Sequence, residues 1–342
     1  MQSLTIPHTI ALLQHVAITH REPVFLWGQP GVGKSDAIRQ LARITDAVLV
    51  DVRMSQYDSV DLRGIPVADD QTGLTRWHPP STLPFTSNPQ FETERLIVLF
   101  LDEMNSAAAS VQAVGYQLIN DRAVGEHALR DNVVVIAAGN RETDRGVTTR
   151  MPTPLANRFT HVEVSVDVDA WCSWAQSVGI DPVSIAFLQF RKGLLSTFDP
   201  SKTDKAFATP RSWAKAFRYY ADTSMPEHIK MAAMDGAVGP GPAAEFWGFV
   251  DVWRKMPSIP NILKNPTTAG VPEELSMRYA VAVALASQAD SKTIGAVNTY
   301  LQRFQQDEFL LLTWKLAVDR NQRLMSTPEF MQMAHLLKRV FT

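Results

Sequence analysis

A chain of 342 residues with 45% hydrophobic content can bury a full core, and its length suits two domains or one domain with a large appendage. Lys and Arg total 33 against 35 for Asp and Glu, a formal net charge of -2, which excludes the strong basic field of a protein that coats duplex DNA and leaves room only for a local basic pore. The single cysteine, Cys172, excludes an intrachain disulfide and a cysteine-built zinc site, fits a reducing compartment, and reads as a small buried or half-buried thiol in a helix.

The first ten residues, Met1 to Ile10, lack the basic start, apolar stretch and small-residue cleavage site of an export signal. Short apolar runs then alternate with helix-like segments from Pro23 to Val166, the pattern of a parallel sheet covered on both faces. Strands are expected at Val24 to Trp27, Ala47 to Val52, Leu96 to Leu101, Val133 to Ala138 and His161 to Val166, with helices at Lys34 to Ile44 and Ser106 to Ile119. The longest apolar runs are too short to cross a bilayer, so the expectation is a soluble cytoplasmic protein with no membrane partner.

From Asp167 onward the apolar spacing becomes helical, in Trp171 to Val178, Val183 to Leu195 and Ser212 to Tyr220. Stretches bearing Pro and Gly at Asp199 to Pro210, Gly236 to Pro242 and Pro257 to Pro272 punctuate this half, and the last separates a final helical block. The expected division is an α/β domain over 1–166, a helical domain over 167–256 and a C-terminal helical extension over 257–342. The Trp-bearing segments around Trp171, Trp174, Trp213, Trp247 and Trp253 read as a helical core.

The chemistry concentrates at strand ends. Gly28-Gln29-Pro30-Gly31-Val32-Gly33-Lys34-Ser35 satisfies G-x-x-x-x-G-K-[ST] directly after a strand and before a helix. Its glycines let the backbone turn tightly and aim amide hydrogens inward, where a helix N-terminus adds partial positive charge for phosphates. Lys34 then reaches the β- and γ-phosphates of ATP, the Ser35 hydroxyl ligates Mg2+, and Gln29 and Pro30 shape the loop.

A second strand ends in Asp102-Glu103, the arrangement called Walker B. Ligands of an open parallel sheet sit at the carboxyl ends of its strands, so Asp102 can hold the magnesium shell while Glu103 polarises the attacking water. Two acids after a strand are by themselves an ordinary turn or cap, and the loop at 28–35 is what turns them into a site. Asn140, after a third strand, is placed to orient the water, although Asn is also a common turn former.

With these three elements in this order the chain resembles the AAA+ superfamily, in particular its MoxR-like and dynein-related ATPases. Members carry a polar sensor residue after the strand that follows Walker B, as Asn140 does, and an arginine beyond a short helix, as in Leu155-Ala156-Asn157-Arg158-Phe159. They also carry a Pro-Arg pair in the helical lid, similar to Pro210-Arg211. The resemblance implies that Arg158 is an arginine finger acting in trans on the neighbouring subunit's nucleotide, with Arg145 and Arg150 as the substitutes, and that Arg211 is a second sensor. It implies a ring, six subunits being the family default.

Ser55 to Gly64 followed by Ile65 to Pro84, and Asp121 to Glu126, resemble two hairpins that in this group face the pore or the substrate surface. Trp77, His78 and Arg122 are therefore candidates for substrate contact. One departure is Gly139-Asn140-Arg141 in place of the family's usual Asn-Pro, which implies a differently shaped sensor loop. The whole chain is also similar to MoxR-type ATP-binding proteins encoded in phage and bacterial genomes.

The resemblance implies a chaperone-like motor that remodels a protein client or complex, the client or adaptor carrying a von Willebrand factor A domain. Two alternatives stay open: a nucleic-acid motor with Arg122, Arg130, Arg141, Arg145 and Arg150 lining a basic pore, and a scaffold that binds ATP without turnover. The eight histidines show no metal-binding spacing, and no G-x-S-x-G elbow is present.

Overall fold

In the computed structural model, residues 2–144, 151 and 153–333 are described, and they fall into two compact units, one of residues 1–166 with 199–203 and one of 167–198 with 204–342. The first is α/β. Its strands β1 (Ser3–Leu4), β2 (Val24–Trp27), β3 (Val48–Arg53), β6 (Ile97–Asp102), β9 (Val133–Gly139) and β10 (Thr160–Val164) form one parallel sheet in the order β1-β10-β2-β9-β6-β3. Two antiparallel hairpins stand apart, β4 (Ile65–Asp69) with β5 (Leu74–His78) and β7 (Ala123–Val124) with β8 (His127–Ala128). They occupy the two stretches whose resemblance to hairpins is set out above.

The central strands β6 and β9 are apolar up to Asp102 and Gly139 at their carboxyl ends because both faces are covered. Along β6 and β9, Val98, Phe100, Val134 and Ile136 join one core with Ile10 and Leu13 of α1 (Ile6–Leu13) and Ala37, Ile38 and Leu41 of α2 (Lys34–Ile44). The alternate residues Ile97, Leu99, Leu101, Val133 and Val135 join the opposite core with Leu62 of α3 (Ser59–Arg63) and Val111, Val114 and Leu118 of α4 (Ala109–Asn120). Period-2 alternation thus divides residues between two cores, each fully buried Val, Leu or Phe contributing roughly 1.5–3 kcal/mol.

The five expected strands and both helices are present, with ends displaced by three residues at most. The edge strand β1 and helix α1, which runs on into a π-helical turn at Gln14–Thr19, were not expected; a two-residue strand carries no periodicity to read.

The second unit is helical: α6 (Val168–Ser177), α7 (Pro182–Phe190), α8 (Pro210–Ala221), α9 (Glu227–Val238), α10 (Pro240–Arg254), α11 (Ile259–Lys264), α12 (Leu275–Gln288), α13 (Ile294–Gln302) and α14 (Asp307–Arg320), after a short α5 (Thr153–Ala156) in the first unit. Helix α12 is buried at every residue from Ala280 to Ala286 and packs on both α7 and α14, so residues beyond 257 share the core of those before it. Phe187, Trp213, Phe217 and Phe246 form an aromatic centre, with Trp213 stacked on Phe217 at 4.9 Å and its indole N–H donating to the Leu194 carbonyl at 2.7 Å. Of the other tryptophans named above, Trp171 is buried and Trp174, Trp247 and Trp253 are half-buried. Cys172 is fully buried, and that burial pushes its thiol pKa far up, as an inert structural thiol requires. Among the described residues no helix is long and apolar enough to cross a membrane.

Candidate active site

The strand order decides which side chains meet. From β2 the chain crosses to the β3 edge, returns through β6 and β9, and then passes over β2 to β10, so the carboxyl ends of β2, β9, β6 and β3 lie side by side at the crevice where such sheets bind ligands. The loop between β2 and α2 turns through left-handed residues at Gly31 (φ 74°) and Gly33 (φ 109°), which a side chain would strain. Gly28 has a different role: an added Cβ would stand 3.0 Å from the Val164 carbonyl oxygen of β10. Val32 is buried beneath the loop, and Gln29 contributes its carbonyl.

Lys34 and Ser35, both buried in the first turn of α2, make the decisive contacts. The Lys34 ammonium donates to the carbonyls of Gly28 (2.6 Å) and Gln29 (3.3 Å) and to Asn140 Oδ1 (3.2 Å) at the end of β9. Ser35 Oγ donates to Asp102 Oδ2 (2.8 Å) at the end of β6, and the other Asp102 oxygen accepts the Glu103 backbone N–H at 2.9 Å. Two buried oxygen donors side by side suit a hard cation such as magnesium, which prefers carboxylate and hydroxyl oxygen.

Glu103 itself adopts a left-handed conformation (φ 54°), uncommon outside glycine and costing roughly 1–3 kcal/mol, the kind of backbone strain that gathers at functional sites. Its carboxylate accepts a short hydrogen bond from Ser55 Oγ and lies 3.8 Å from the Arg53 guanidinium, both at the end of β3. Asp51, one turn of the pleat behind, has its carboxyl pKa raised, first by burial and then by the negative charge of Asp102, against the opposing Arg39 and Arg53.

Residues outside the motifs complete the site. Asn105, two residues past Glu103, donates from Nδ2 to the Asn140 carbonyl (2.7 Å) and accepts the Asn140 N–H on Oδ1 (3.2 Å). Arg141 pairs with the buried Asp144 at 2.8 Å and with Glu163 of β10 at 3.0 Å, and these contacts raise its pKa further. This ion-paired turn shapes the loop that follows β9. No spacing rule picks out Asn105, Ser55, Asp144 or Glu163, since each is defined by a partner 3 to 48 residues away.

The other expected residues lie elsewhere. Arg158 sits exposed on the turn after α5 and makes no ion pair among the described residues, whereas Arg145 and Arg150 lie outside them. Arg211 is exposed in the first turn of α8, behind a capping box of Thr209 and Ser212 with Pro210 at the first helical position. Trp77 and His78 are exposed on the β4–β5 hairpin. Arg122, by contrast, spends its guanidinium on the carbonyls of Arg130 and Val133, both at 2.9 Å, and partial burial lowers its pKa. Arg130 likewise donates to the carbonyls of Thr86 and Asn88, so the three described arginines of the basic-pore alternative are each occupied within the fold.

Residues 23–159 match the family described as the AAA domain of the dynein-related subfamily. Among solved structures, a candidate ATPase from Cytophaga hutchinsonii aligns at 14% identity over 99% of this chain and 91% of its own, with a TM-score of 0.37. The Holliday junction branch migration motor RuvB of Thermotoga maritima aligns at 14% identity over 87% and 86%, with a TM-score of 0.41, and a variant of that RuvB gives 16% and 0.42.

Proposed function

We propose that this chain, whose residues 23–159 match the AAA domain of the dynein-related subfamily, is a MoxR-like AAA+ motor that hydrolyses ATP in an oligomeric ring, six subunits being the family default. The observation that carries the reading is the convergence of Lys34 and Ser35 from the loop after β2 upon Asn140 and Asp102 at the ends of two neighbouring strands. A solvated lysine and serine in an ordinary glycine-rich turn would have no such partners.

In this reading the amides of residues 28–35 cradle the phosphates of ATP and Lys34 transfers its hydrogen bonds to the β- and γ-phosphate oxygens. Ser35 and Asp102 hold Mg2+, which when bound neutralises charge building on the transferred phosphoryl group. Glu103 accepts a proton from the attacking water, and Asn140 orients that water. The last cation of the site comes from the neighbouring subunit: Arg158, exposed and without an ionic partner among the described residues, would act there in trans to stabilise the transition state, with Arg145 and Arg150 as its substitutes. Arg211 reports loss of the γ-phosphate to the helical unit.

The output is remodelling of a protein client or adaptor, for which a domain of the von Willebrand factor A type is the family-based candidate, with Trp77 and His78 of the exposed β4–β5 hairpin as its contacts. A protein client is favoured over nucleic acid because Arg122, Arg130 and Arg141 are committed to intramolecular partners.

The test is ATP turnover per subunit across a range of protein concentrations, for the natural chain and for Glu103→Gln. The specific rate should rise as subunits associate, and Glu103→Gln should retain bound ATP while releasing no phosphate. A specific rate independent of concentration removes the shared site, and binding without turnover in the natural chain reduces it to a nucleotide-gated scaffold.

A further inference from the structure

We propose that Asn105 is a positioning residue that staples the turn carrying Glu103 to the backbone of Asn140, and thereby sets the spacing between the two groups that act on the attacking water. The inference rests on the hydrolytic reading above and assigns the residue that aligns its parts.

Asn105 lies in a single 3-10 turn, Met104–Ser106, entered through the left-handed Glu103 and closed by the Ser106 N–H on the Glu103 carbonyl at 2.9 Å. Any shift of Asn105 is therefore transmitted to Glu103. Its side chain is 2% exposed, and its amide pairs with residue 140 as a peptide unit would in a sheet, Nδ2 to the carbonyl and Oδ1 to the N–H. Those two contacts fix the orientation of the amide, because a flip would set oxygen against oxygen and donor against donor. Residue 140 is the first beyond β9, where the strand's own ladder with β2 ends at Gly139, so its backbone groups would otherwise have no sheet partner.

Gly139 supports the same conclusion from the opposite side. It does not need positive φ; it needs space, since an added Cβ would lie 2.2 Å from Asn105 Oδ1 and 3.0 Å from the Phe25 ring. The strand end thus lacks a side chain at the place where the Asn105 amide docks. On the far side, Arg141 anchors the loop through Asp144 and Glu163. Between these anchors the Asn140 side chain accepts a hydrogen bond from Lys34 at 3.2 Å.

The test compares Asn105→Ala, Asn105→Asp, Gly139→Ala and the double variant Asn105→Ala/Gly139→Ala in the full chain. Steady-state ATP turnover, affinity for a fluorescent ATP analogue and hydrogen exchange at the Asn140 amide are measured together. The expected result is a kcat lowered roughly ten- to a hundredfold, affinity within about threefold, and faster exchange at Asn140, since loss of alignment costs rate rather than ground-state binding. Asn105→Asp should match Asn105→Ala, because a carboxylate keeps the acceptor but turns an oxygen on the Asn140 carbonyl.

Gly139→Ala, which expels the amide from the other side, should resemble both, and the double variant should be no worse than the poorer single one, as two changes breaking one contact must be. The proposal is overturned by an unchanged kcat in Asn105→Ala, by a fall in kcat with unchanged exchange at Asn140, or by a loss of nucleotide affinity equal to the loss of rate. If the natural chain itself fails to turn over ATP, the hydrolytic reading falls, and exchange at Asn140 in the same variants still decides whether the staple exists.

Discussion

Buried polar side chains serve opposite ends in the two units. In the α/β unit Lys34, Ser35, Asp102 and Asn105 gather at the carboxyl ends of adjacent strands and bond to one another or to the loops there. In the helical unit the buried polar residues end or tie helices: Thr209 caps α8, Thr327 caps a short helix, Asn298 accepts the Trp314 indole N–H, and Thr313 donates to the Ala282 carbonyl. A buried polar group must be satisfied wherever it lies, so satisfaction does not separate chemistry from architecture. Location does: in the α/β unit polar groups converge from several strand ends onto one crevice, whereas the caps and ties of the helical unit are scattered along the helices they hold.

That contrast can be broken by experiment, and the largest effect belongs to the helical unit. Trp213→Ala removes a fully buried ring, its stack on Phe217 and its bond to Leu194, and should cost about 3–5 kcal/mol in denaturant unfolding. A variant that kept its stability but lost nucleotide would erase the distinction. Lys34→Met should do the reverse, weakening ATP binding roughly a hundredfold, as loss of a buried charged hydrogen-bond partner does, while shifting stability by no more than about 1 kcal/mol. Calorimetric titration with ATP beside a thermal melt reads both.

The smallest effect concerns Asp51. Its folded carboxyl pKa is raised, so the native state holds the proton more tightly than the unfolded chain, and the ionised group subtracts stability near neutral pH. The penalty lessens as pH falls through the raised value and is absent below the ordinary carboxylate value of 3.8. Asp51→Asn should therefore gain stability at pH 7, by less than about 0.5 kcal/mol because solvent screening and the lost Arg39 contact at 3.8 Å offset it. The gain should vanish in acid; a gain that grew there would reverse the sign of the effect.

Much of this was legible before any coordinates. The fully apolar runs at Ile97 to Leu101 and Val133 to Ala138 announce strands covered on both faces, and Gly28 to Ser35 is a local motif whose backbone geometry follows from its own glycines and the helix it opens. The two-residue β1, the π-helical turn and the occupation of Arg122 by carbonyls were not legible: β1 is too short for periodicity and pairs with residues 163–164, and neither the π-helical turn nor the Arg122 contacts follow from a residue spacing.

The sequence by itself determined the long strands and helices of the sheet domain and the glycine-rich turn at residues 28–35, since periodicity and tight turns are properties of consecutive residues. Tertiary structure alone decided that Ser35 meets Asp102, that Ser55 meets Glu103 and that Asn105 holds Asn140. Those pairings lie 67, 48 and 35 residues apart along the chain. They exist because the strand order β2-β9-β6-β3 brings four strand ends into one row, an arrangement that no stretch of consecutive residues encodes.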